Sequence, residues 1–305
     1  MSWTAFLLIA SSIVLHSLWH FLCKSSGKSS IAFFALFSTA LFLTMLPFAL
    51  ISGVAFQLHT DTLQFIAVSS FFAFLGDLGL MLAYKYADIS LAYPMARALP
   101  VFMTMAATLI FSWGAPLSPP AVAGMIIIFT GCMLMGLSGN NSRLSIGEKL
   151  AFIRKALPGI LLAALSTTAY TLSDGYGIKS IMTAFPGNHK LLLAGCYSCL
   201  RELLVTAALW IAVFCCRAAG KERGILKSLA ASYHPYAAGI FAALAYVLVL
   251  LAMNYVTNVS FVQAFRQLSL PLSALLGALI LKEKIGKLRA AGLIMIMAGL
   301  FLSIL

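Results

Sequence analysis

The segment Tyr93-Pro-Met-Ala-Arg97-Ala-Leu-Pro100 places an arginine inside a stretch that is otherwise apolar from about residue 89 to residue 113. A cation on a helix in hydrocarbon costs roughly 2.5 to 3.5 kcal/mol even on lenient insertion scales, so it usually faces a protein interior or a watery cavity. A second arginine, Arg266, lies in a similar apolar stretch. Together the two stretches predict membrane helices that carry a polar site.

The composition is that of an integral membrane protein. Apolar residues make up 62% of the 305 residues and charged residues 9%, whereas soluble domains carry about 25% charge. Segments this apolar must be helices, since backbone groups in hydrocarbon have to be paired internally and the alternation of barrel strands is absent. We therefore predict an all-α membrane protein of about ten helices, each of ~20 residues.

The ten predicted spans follow the apolar segments of the sequence. Their approximate limits are 3–22, 31–51, 63–83, 89–113, 119–138, 157–178, 191–214, 235–255, 258–281 and 287–305. The first segment lacks a basic start and a convincing cleavage site, so we interpret it as a helix and not as a signal peptide. Pro94, Pro100 and Pro271 lie inside spans four and nine, where each should bend its helix or mark a break beside a cavity.

The net charge of +12 comes mainly from lysine and arginine residues in the predicted loops. Fifteen of these twenty residues fall on one side of the membrane and two on the other, while Arg97, Arg201 and Arg266 lie inside spans. Basic loops mark the cytoplasmic side, so this pattern places both termini outside. It also explains the positive charge without nucleic acid as a partner.

Two short motifs do not predict a cofactor. Gly27-Lys28-Ser29 ends like a phosphate loop, but Leu22 stands where the first glycine is required, so ATP is not a predicted partner. Cys196-Tyr-Ser-Cys199 lacks the second pair or the histidine cluster that would complete a zinc site. No metal and no other cofactor is predicted.

The two halves of the chain repeat one another. Ala83, Tyr86, Arg97 and Leu99 match Ala252, Tyr255, Arg266 and Leu268 at an offset of 169, and Gly124 and Gly131 match Gly292 and Gly299 at an offset of 168. An odd number of spans per half requires inverted topology, with a site near the bilayer midplane. We predict a first five-helix repeat over 1–138, a basic connecting loop over 139–156 and a second five-helix repeat over 157–305. The four glycines are expected to let helices pack closely.

Three motifs resemble those of EamA-type carriers of the drug/metabolite transporter superfamily. Leu15-His16-Ser-Leu-Trp19-His20-Phe-Leu-Cys-Lys24, Tyr170-Thr-Leu-Ser-Asp174-Gly-Tyr-Gly177 and Tyr93-Pro-Met-Ala-Arg97 are similar to the LHxxWNxxxK, YTxxDxxG and YPxAR patterns of a subgroup that includes members associated with phosphonate-utilisation genes. The resemblance covers essentially the whole chain. It implies ten helices around a cavity that moves small organic metabolites, often outward, in the bacterial inner membrane. It also implies cytoplasmic termini, in contrast to the charge pattern.

The arginine stretches provide the first candidates for substrate binding. Tyr93 shares a helix face with Arg97, and Gln263, Arg266 and Gln267 form a polar cluster on span nine. The rigid fork of donors on arginine suits a carboxylate, phosphonate or phosphate. Alternatively, carboxylates or backbone carbonyls neutralise both arginines, which then only lock the bundle. In the aligned halves Pro94 matches Gln263 and Pro100 matches Ser269, so we expect the two arginines to differ in role.

Further candidates lie on spans one and six. His16, Trp19 and His20 fall on one face of span one, and Tyr170 lies on span six; all four are predicted to line the substrate cavity. The spacing of the histidines would also suit a metal, but no third ligand is indicated. The histidines could instead be structural residues packed between helices.

Three acidic residues inside spans are candidates for proton coupling or contact with an amine, namely Asp77, Asp174 and Glu202. Asp174 could instead cap a helix end, Asp77 could be the partner of an arginine, and Glu202 could be the network partner of Arg201. Arg201 and Glu202 are adjacent and point about 100° apart on a helix, so each is expected to need a partner on another span.

Our leading hypothesis is a secondary transporter, more specifically an exporter, of small anionic or zwitterionic metabolites. It would work by alternating access, couple to protons and lie among membrane lipids as a monomer or homodimer. One alternative is a transporter of amines or cationic drugs anchored by Asp174 and Glu202. Another is a membrane enzyme that acts on lipid head groups with His16 and His20 as acid and base. The repeat argues against the enzyme, so no catalytic residue is predicted.

Overall fold

Helices form the regular structure of the computed structural model, which describes residues 2–26, 30–86, 89–137, 146–218, 224–280 and 285–304. No strand lies in these ranges, as expected for a backbone that must be satisfied internally. The helices are α1 (Trp3–Ser25), α2 (Ile31–Ser52), α3 (Thr60–Tyr86), α4 (Ile89–Ile110), α5 (Pro119–Leu137), α6 (Ile146–Ala184), α7 (Lys190–Ala218), α8 (Ile225–Ala230), α9 (His234–Met253), α10 (Val259–Phe265), α11 (Ser269–Ile280) and α12 (Lys287–Leu302), with a 3-10 turn (Arg266–Leu268) between α10 and α11.

Seven helices among the described residues are long and apolar enough to cross a membrane. They are α1, α2, α3, α5, α6, α7 and α9. About 20 residues of helix span the hydrocarbon core of a bilayer. The prediction of an all-α integral membrane protein is confirmed, whereas the count of ten spans stays a prediction.

Predicted span nine is interrupted, so of the bend and the break that its proline left open, the structure has the break. The α-helix ends at Phe265, and the turn from Arg266 to Leu268 separates it from α11. Pro271 has no N–H to donate to the carbonyl group four residues earlier, so the α-helical hydrogen-bond ladder cannot run through this region. The interruption places Arg266 outside regular α-helix, where its carbonyl can accept other donors.

Helix α6 begins within the segment predicted as a connecting loop. It starts at Ile146, so the predicted loop 139–156 is helical from residue 146 onwards. The residues before 146, back to 138, lie outside the described ranges. Glutamate, lysine, leucine, alanine and arginine fill most positions from 148 to 156, and all of them are good helix formers.

The contacts divide the chain into two compact units. The first unit is built mainly from Leu75–Thr168 and Val256–Leu305, and the second from Trp3–Phe74 and Ala169–Tyr255. The boundary falls within α3 and within α6. Each unit therefore takes residues from both halves of the sequence.

Glycines bring the helices of the first unit into backbone contact. A Cβ atom at Gly124 would lie 2.5 Å from the carbonyl oxygen of Gly299, and one at Gly131 would lie 2.8 Å from that of Gly292. Helices α5 and α12 are therefore antiparallel and packed backbone to backbone. Small residues permit such close approach between membrane helices, which is the role predicted for these four glycines.

Hydrogen bonds and close packing hold the helices of the second unit. Helix α2 packs against α7 and α9, and α1 packs along α9. The Ser12 hydroxyl donates to the carbonyl of Ala245 at 2.8 Å, and the Trp210 indole donates to the Thr39 hydroxyl at 2.9 Å. These contacts position the helices that carry the histidines and the buried acidic residues.

Candidate functional site

The first unit buries both predicted arginines beside the interruption between α10 and α11. Arg97 and Arg266 are each 7% exposed. The Arg97 Nη2 atom donates to the carbonyl oxygen of Arg266 at 3.1 Å and lies 3.5 Å from Ser269 Oγ. Ser269 Oγ donates to the same carbonyl at 2.8 Å. The two arginines that match across the repeat therefore meet, but through the backbone of one of them.

Gln263 and Gln267 lie beside Arg266 and are fully buried. Gln267 Nε2 donates to the backbone oxygen of Gln263 at 3.0 Å. Within the described part of the chain, no protein partner reaches Gln263 Nε2, Gln263 Oε1, Gln267 Oε1 or Arg266 Nη1. A buried polar atom without a partner costs about 1–3 kcal/mol. Gln263, Arg266 and Gln267 thus carry two buried donors and two buried acceptors for which the described residues supply no partner.

The start of α10 is anchored to the end of α4, which positions this cluster. Asn258 caps α10 by accepting from the Ser260 N–H at 2.9 Å, and its amide donates to the carbonyl of Ala115 at 3.0 Å. Gly114 has a φ of 88°, and a Cβ atom there would lie 2.8 Å from the carbonyl oxygen of Thr257. Only glycine allows both the backbone conformation and this close approach.

Two other candidates belong to the first unit. Tyr93 is part of α4, but its side chain lies outside the described residues. Asp77 is half-buried on α3. The roles of Tyr93 in substrate contact and of Asp77 in pairing or coupling therefore stay predictions.

In the second unit, Arg201 and Glu202 lie in a buried ionic network. Arg201 Nη1 forms an ion pair with Glu202, and Arg201 Nε donates to Ser69 Oγ at 2.8 Å. Ser38 Oγ donates to Glu202 Oε2 at 2.9 Å. The prediction that these adjacent residues need partners on other helices was incomplete. Both residues do reach serines on α2 or α3, but the long arginine side chain also folds back onto its neighbour.

Asp174 belongs to the same network and is fully buried. It accepts hydrogen bonds from the hydroxyl of Tyr197 at 3.0 Å and from that of Tyr246, and Arg201 Nε lies 3.9 Å from its Oδ1. The Arg201 guanidinium also lies over the rings of Tyr170, at 5.1 Å, and Tyr246, at 4.7 Å. The helix-cap interpretation of Asp174 is wrong, because α6 continues well past it.

The donors around Asp174 and Glu202 are protein groups. An arginine, two tyrosines and a serine supply them, so both carboxylates find hydrogen-bond donors inside the second unit. An amine ligand would have to displace these partners. The network is therefore better suited to locking helices together than to holding a cationic substrate.

Sequence reasoning misses Tyr197 and Tyr246. Tyr197 precedes Arg201 by four residues, so their shared helix face could have indicated it. Tyr246 stands alone in an apolar helix and nothing around it marks a polar role. Gly177 makes room for Tyr197, because a Cβ atom at this position would lie 2.5 Å from the tyrosine hydroxyl.

His16, Trp19 and His20 form a chain of rings near the end of α1. Trp19 Nε1 donates to His16 Nδ1 at 2.9 Å, and the Nε2 atoms of His16 and His20 are 3.1 Å apart. The centroids of the Trp19 and His20 rings are 3.5 Å apart, and Trp19 lies 5.3 Å from Phe37 on α2. The predicted shared face is present, and its polar atoms bond to one another.

Two known proteins are similar to this chain over nearly its full length. One, from Archaeoglobus fulgidus, is described as an uncharacterized transporter and is 27% identical over 286 residues, which cover 92% of this chain and 91% of the relative. The other is a protein with a crystal structure, which superposes with a TM-score of 0.65 over 98% of this chain and 96% of its own, at 16% identity. The second likeness concerns the fold alone. No family model matches the sequence.

Proposed function

We propose that this protein is a secondary transporter that exports small anionic or zwitterionic metabolites across a bacterial inner membrane. The observation that carries the proposal is the buried set of atoms on Gln263, Arg266 and Gln267 that lacks protein partners among the described residues. Guanidinium and amide donors suit the oxygens of a carboxylate or phosphonate. The glutamine oxygens suit an N–H or O–H group on the same ligand.

The relative and the local backbone support transport over catalysis. The Archaeoglobus fulgidus protein is described as a transporter. The break at Arg266 resembles the discontinuous helices that form substrate sites in many secondary transporters. The histidines of the alternative membrane enzyme bond to each other and to an indole, so three of their four ring nitrogens are engaged inside the cluster and not by a lipid head group.

The glycine contacts of the first unit support inverted repeats. Gly124 matches Gly292 in the sequence, and Gly131 matches Gly299. In the structure, Gly124 contacts Gly299 and Gly131 contacts Gly292. A two-fold axis that relates the halves would exchange these two contacts, as in an isologous interface. Ten spans in two inverted halves, working by alternating access, are proposed on this basis.

Ligand stabilisation followed by transport tests the function. The purified protein is heated with carboxylic acids, phosphonates, amino acids and quaternary amines, and the acids or amino acids are expected to raise its melting temperature. Arg266→Gln should weaken that effect at least tenfold in ligand concentration and abolish uptake of the ligand into proteoliposomes. Arg217→Gln, at an exposed position at the end of α7, is the matched control and should behave like wild type.

Two outcomes would contradict the proposal. Stabilisation by amines but by no acid would favour a cation transporter and a structural role for the arginines. Wild-type uptake by the Arg266→Gln protein would show that the cluster does not hold the substrate.

A further inference from the structure

The hydrogen bonds along Trp19, His16 and His20 allow one arrangement of protons when both histidines are neutral. An indole N–H only donates, so His16 Nδ1 must accept from Trp19 and carries no proton. The proton of a neutral His16 is then on Nε2, from which it donates to His20 Nε2 at 3.1 Å. His20 therefore carries its own proton on Nδ1.

One additional proton forces a different arrangement. The four ring nitrogens of the two histidines then share three protons. Two N–H groups would point at each other if both Nε2 atoms were protonated. A single proton therefore lies between the two Nε2 atoms, and each Nδ1 atom carries one of the other two. His16 Nδ1 can no longer accept from Trp19, so the indole loses this bond. The imidazolium–imidazole hydrogen bond that replaces the neutral one is charge-assisted and roughly twice as strong, which favours capture of the proton by the pair.

We propose that His16, Trp19 and His20 form a proton-binding site in which uptake of one proton by the histidine pair releases the Trp19 indole. The indole also contacts Phe37 of α2, so its release passes the protonation state of α1 to a neighbouring helix. As a proton site this inference stands by itself. A role of this site in coupling protons to transport rests on the proposed function. It would add α1 to the helices that carry the predicted coupling carboxylates.

Helices α2 and α9, which contact α1, carry few ionisable groups in their described residues. Helix α2 contributes none. Helix α9 contributes His234, Tyr236 and Tyr246, whose side chains bond to Ser232, Ala230 and Asp174 respectively. On α1 itself, Cys23 and Lys24 follow the pair. The Trp19 ring, whose centroid lies 3.5 Å from that of the His20 ring, would attract a cation at this position.

Nitrogen NMR of the full-length protein, labelled with 15N-histidine and held in nanodiscs, tests the proton arrangement. At pH 8, His16 is expected as the Nε2–H tautomer and His20 as the Nδ1–H tautomer. Their signals should then shift together in one one-proton step between about pH 5 and 8. His16→Gln and His20→Gln assign the signals, and His59→Gln, exposed and stacked on Phe185, is the control that should leave the step intact. Two independent steps, or none, would overturn the proposal.

A conservative variant tests the role of the indole. Trp19→Phe keeps an aromatic ring but removes the N–H that competes with a proton for His16 Nδ1. The midpoint of the histidine step should rise by about 0.5 to 1 pH unit, which corresponds to the loss of one neutral hydrogen bond. An unchanged midpoint would show that proton binding and the indole are not linked.

Transport separates the coupling role from the proton site. In proteoliposomes loaded with a ligand from the stabilisation screen, wild-type transport should depend on pH with the midpoint found by NMR, and Trp19→Phe should move both midpoints by the same amount. A transport midpoint that stays in place would overturn the coupling role. If the wild-type protein moves no ligand, the proposed function fails, and the NMR titration still decides the proton site.

Discussion

Replacing Gly177 by alanine should destabilise the second unit, although alanine is the better helix former. Gly177 lies within α6, and a Cβ atom there would lie 2.5 Å from the hydroxyl oxygen of Tyr197 and 2.6 Å from its ring. Atoms cannot remain this close, so the tyrosine must move. Because Tyr197 donates to Asp174 at 3.0 Å, its movement removes one of the donors of a buried carboxylate.

Two effects lower the free energy of unfolding of Gly177→Ala, and a third raises it. Overpacking a well-packed interior costs about 1–3 kcal/mol, and losing a hydrogen bond to a charged group costs about 1.5–3 kcal/mol. The gain in helix propensity from glycine to alanine offsets about 1 kcal/mol. The net destabilisation of Gly177→Ala is therefore expected at about 1.5–5 kcal/mol.

Reversible unfolding in mixed detergent micelles measures this difference. Gly76→Ala is the matched control, because Gly76 is also helical but a Cβ atom there would meet its nearest neighbour at 3.4 Å, an ordinary contact. Tyr197→Phe should lose only the hydrogen bond to Asp174. When Gly177→Ala is added to it, the clash between the new Cβ atom and the aromatic ring should lower the free energy of unfolding further. If Gly177→Ala is as stable as Gly76→Ala, the explanation of the glycine by the tyrosine is wrong.

Three further substitutions test other parts of the structure. Gly131→Ala should destabilise the seam between α5 and α12 by about 1–3 kcal/mol, whereas Gly76→Ala, whose Cβ atom would make only an ordinary contact at 3.4 Å, should not lower the free energy of unfolding in the same assay. Arg201→Leu should cost about 3–5 kcal/mol, since it leaves buried carboxylates without their cation, and Arg201→Leu combined with Glu202→Leu should cost less than the single variant. Asn258→Ala should lower the free energy of unfolding by about 0.5–2 kcal/mol through loss of the helix cap, and an unchanged value would indicate that the α10 cap does not hold this helix start.

The length of the apolar segments predicts much of the fold, for identifiable physical reasons. A membrane leaves helices as the main option for long apolar segments, so the existence of α1 or α7 follows from composition. The offset that matches Arg97 with Arg266 anticipates their meeting. The start of α6 at Ile146 is not predicted, because charged residues between apolar spans are typical of loops. The same residues are nevertheless good helix formers.

The candidate site is harder to predict because much of it depends on atoms that carry no sequence signal. Pro271 predicts a disturbed helix, but a bend and a 3-10 turn are equally compatible with a missing N–H. Tyr246 reaches Asp174 from another helix, and a tyrosine among apolar residues does not reveal such a partner. Helix geometry alone predicts partners on other helices for Arg201 and Glu202, because it describes where side chains start and not where a long one ends.

The two matched arginines, Arg97 and Arg266, have surroundings that differ at two positions. Ser269 donates to the carbonyl of Arg266, whereas its match in the first half is Pro100, which has no hydroxyl to donate to Arg97. Arg97 instead uses its own Nη2 to bind the Arg266 carbonyl, so it stabilises the interrupted backbone. Arg266 keeps Nη1 without a protein partner among the described residues, next to Gln263, whose match is Pro94. We therefore expect Arg266 to be the arginine that contacts the proposed substrate, and Arg97 to hold the interrupted backbone beside it.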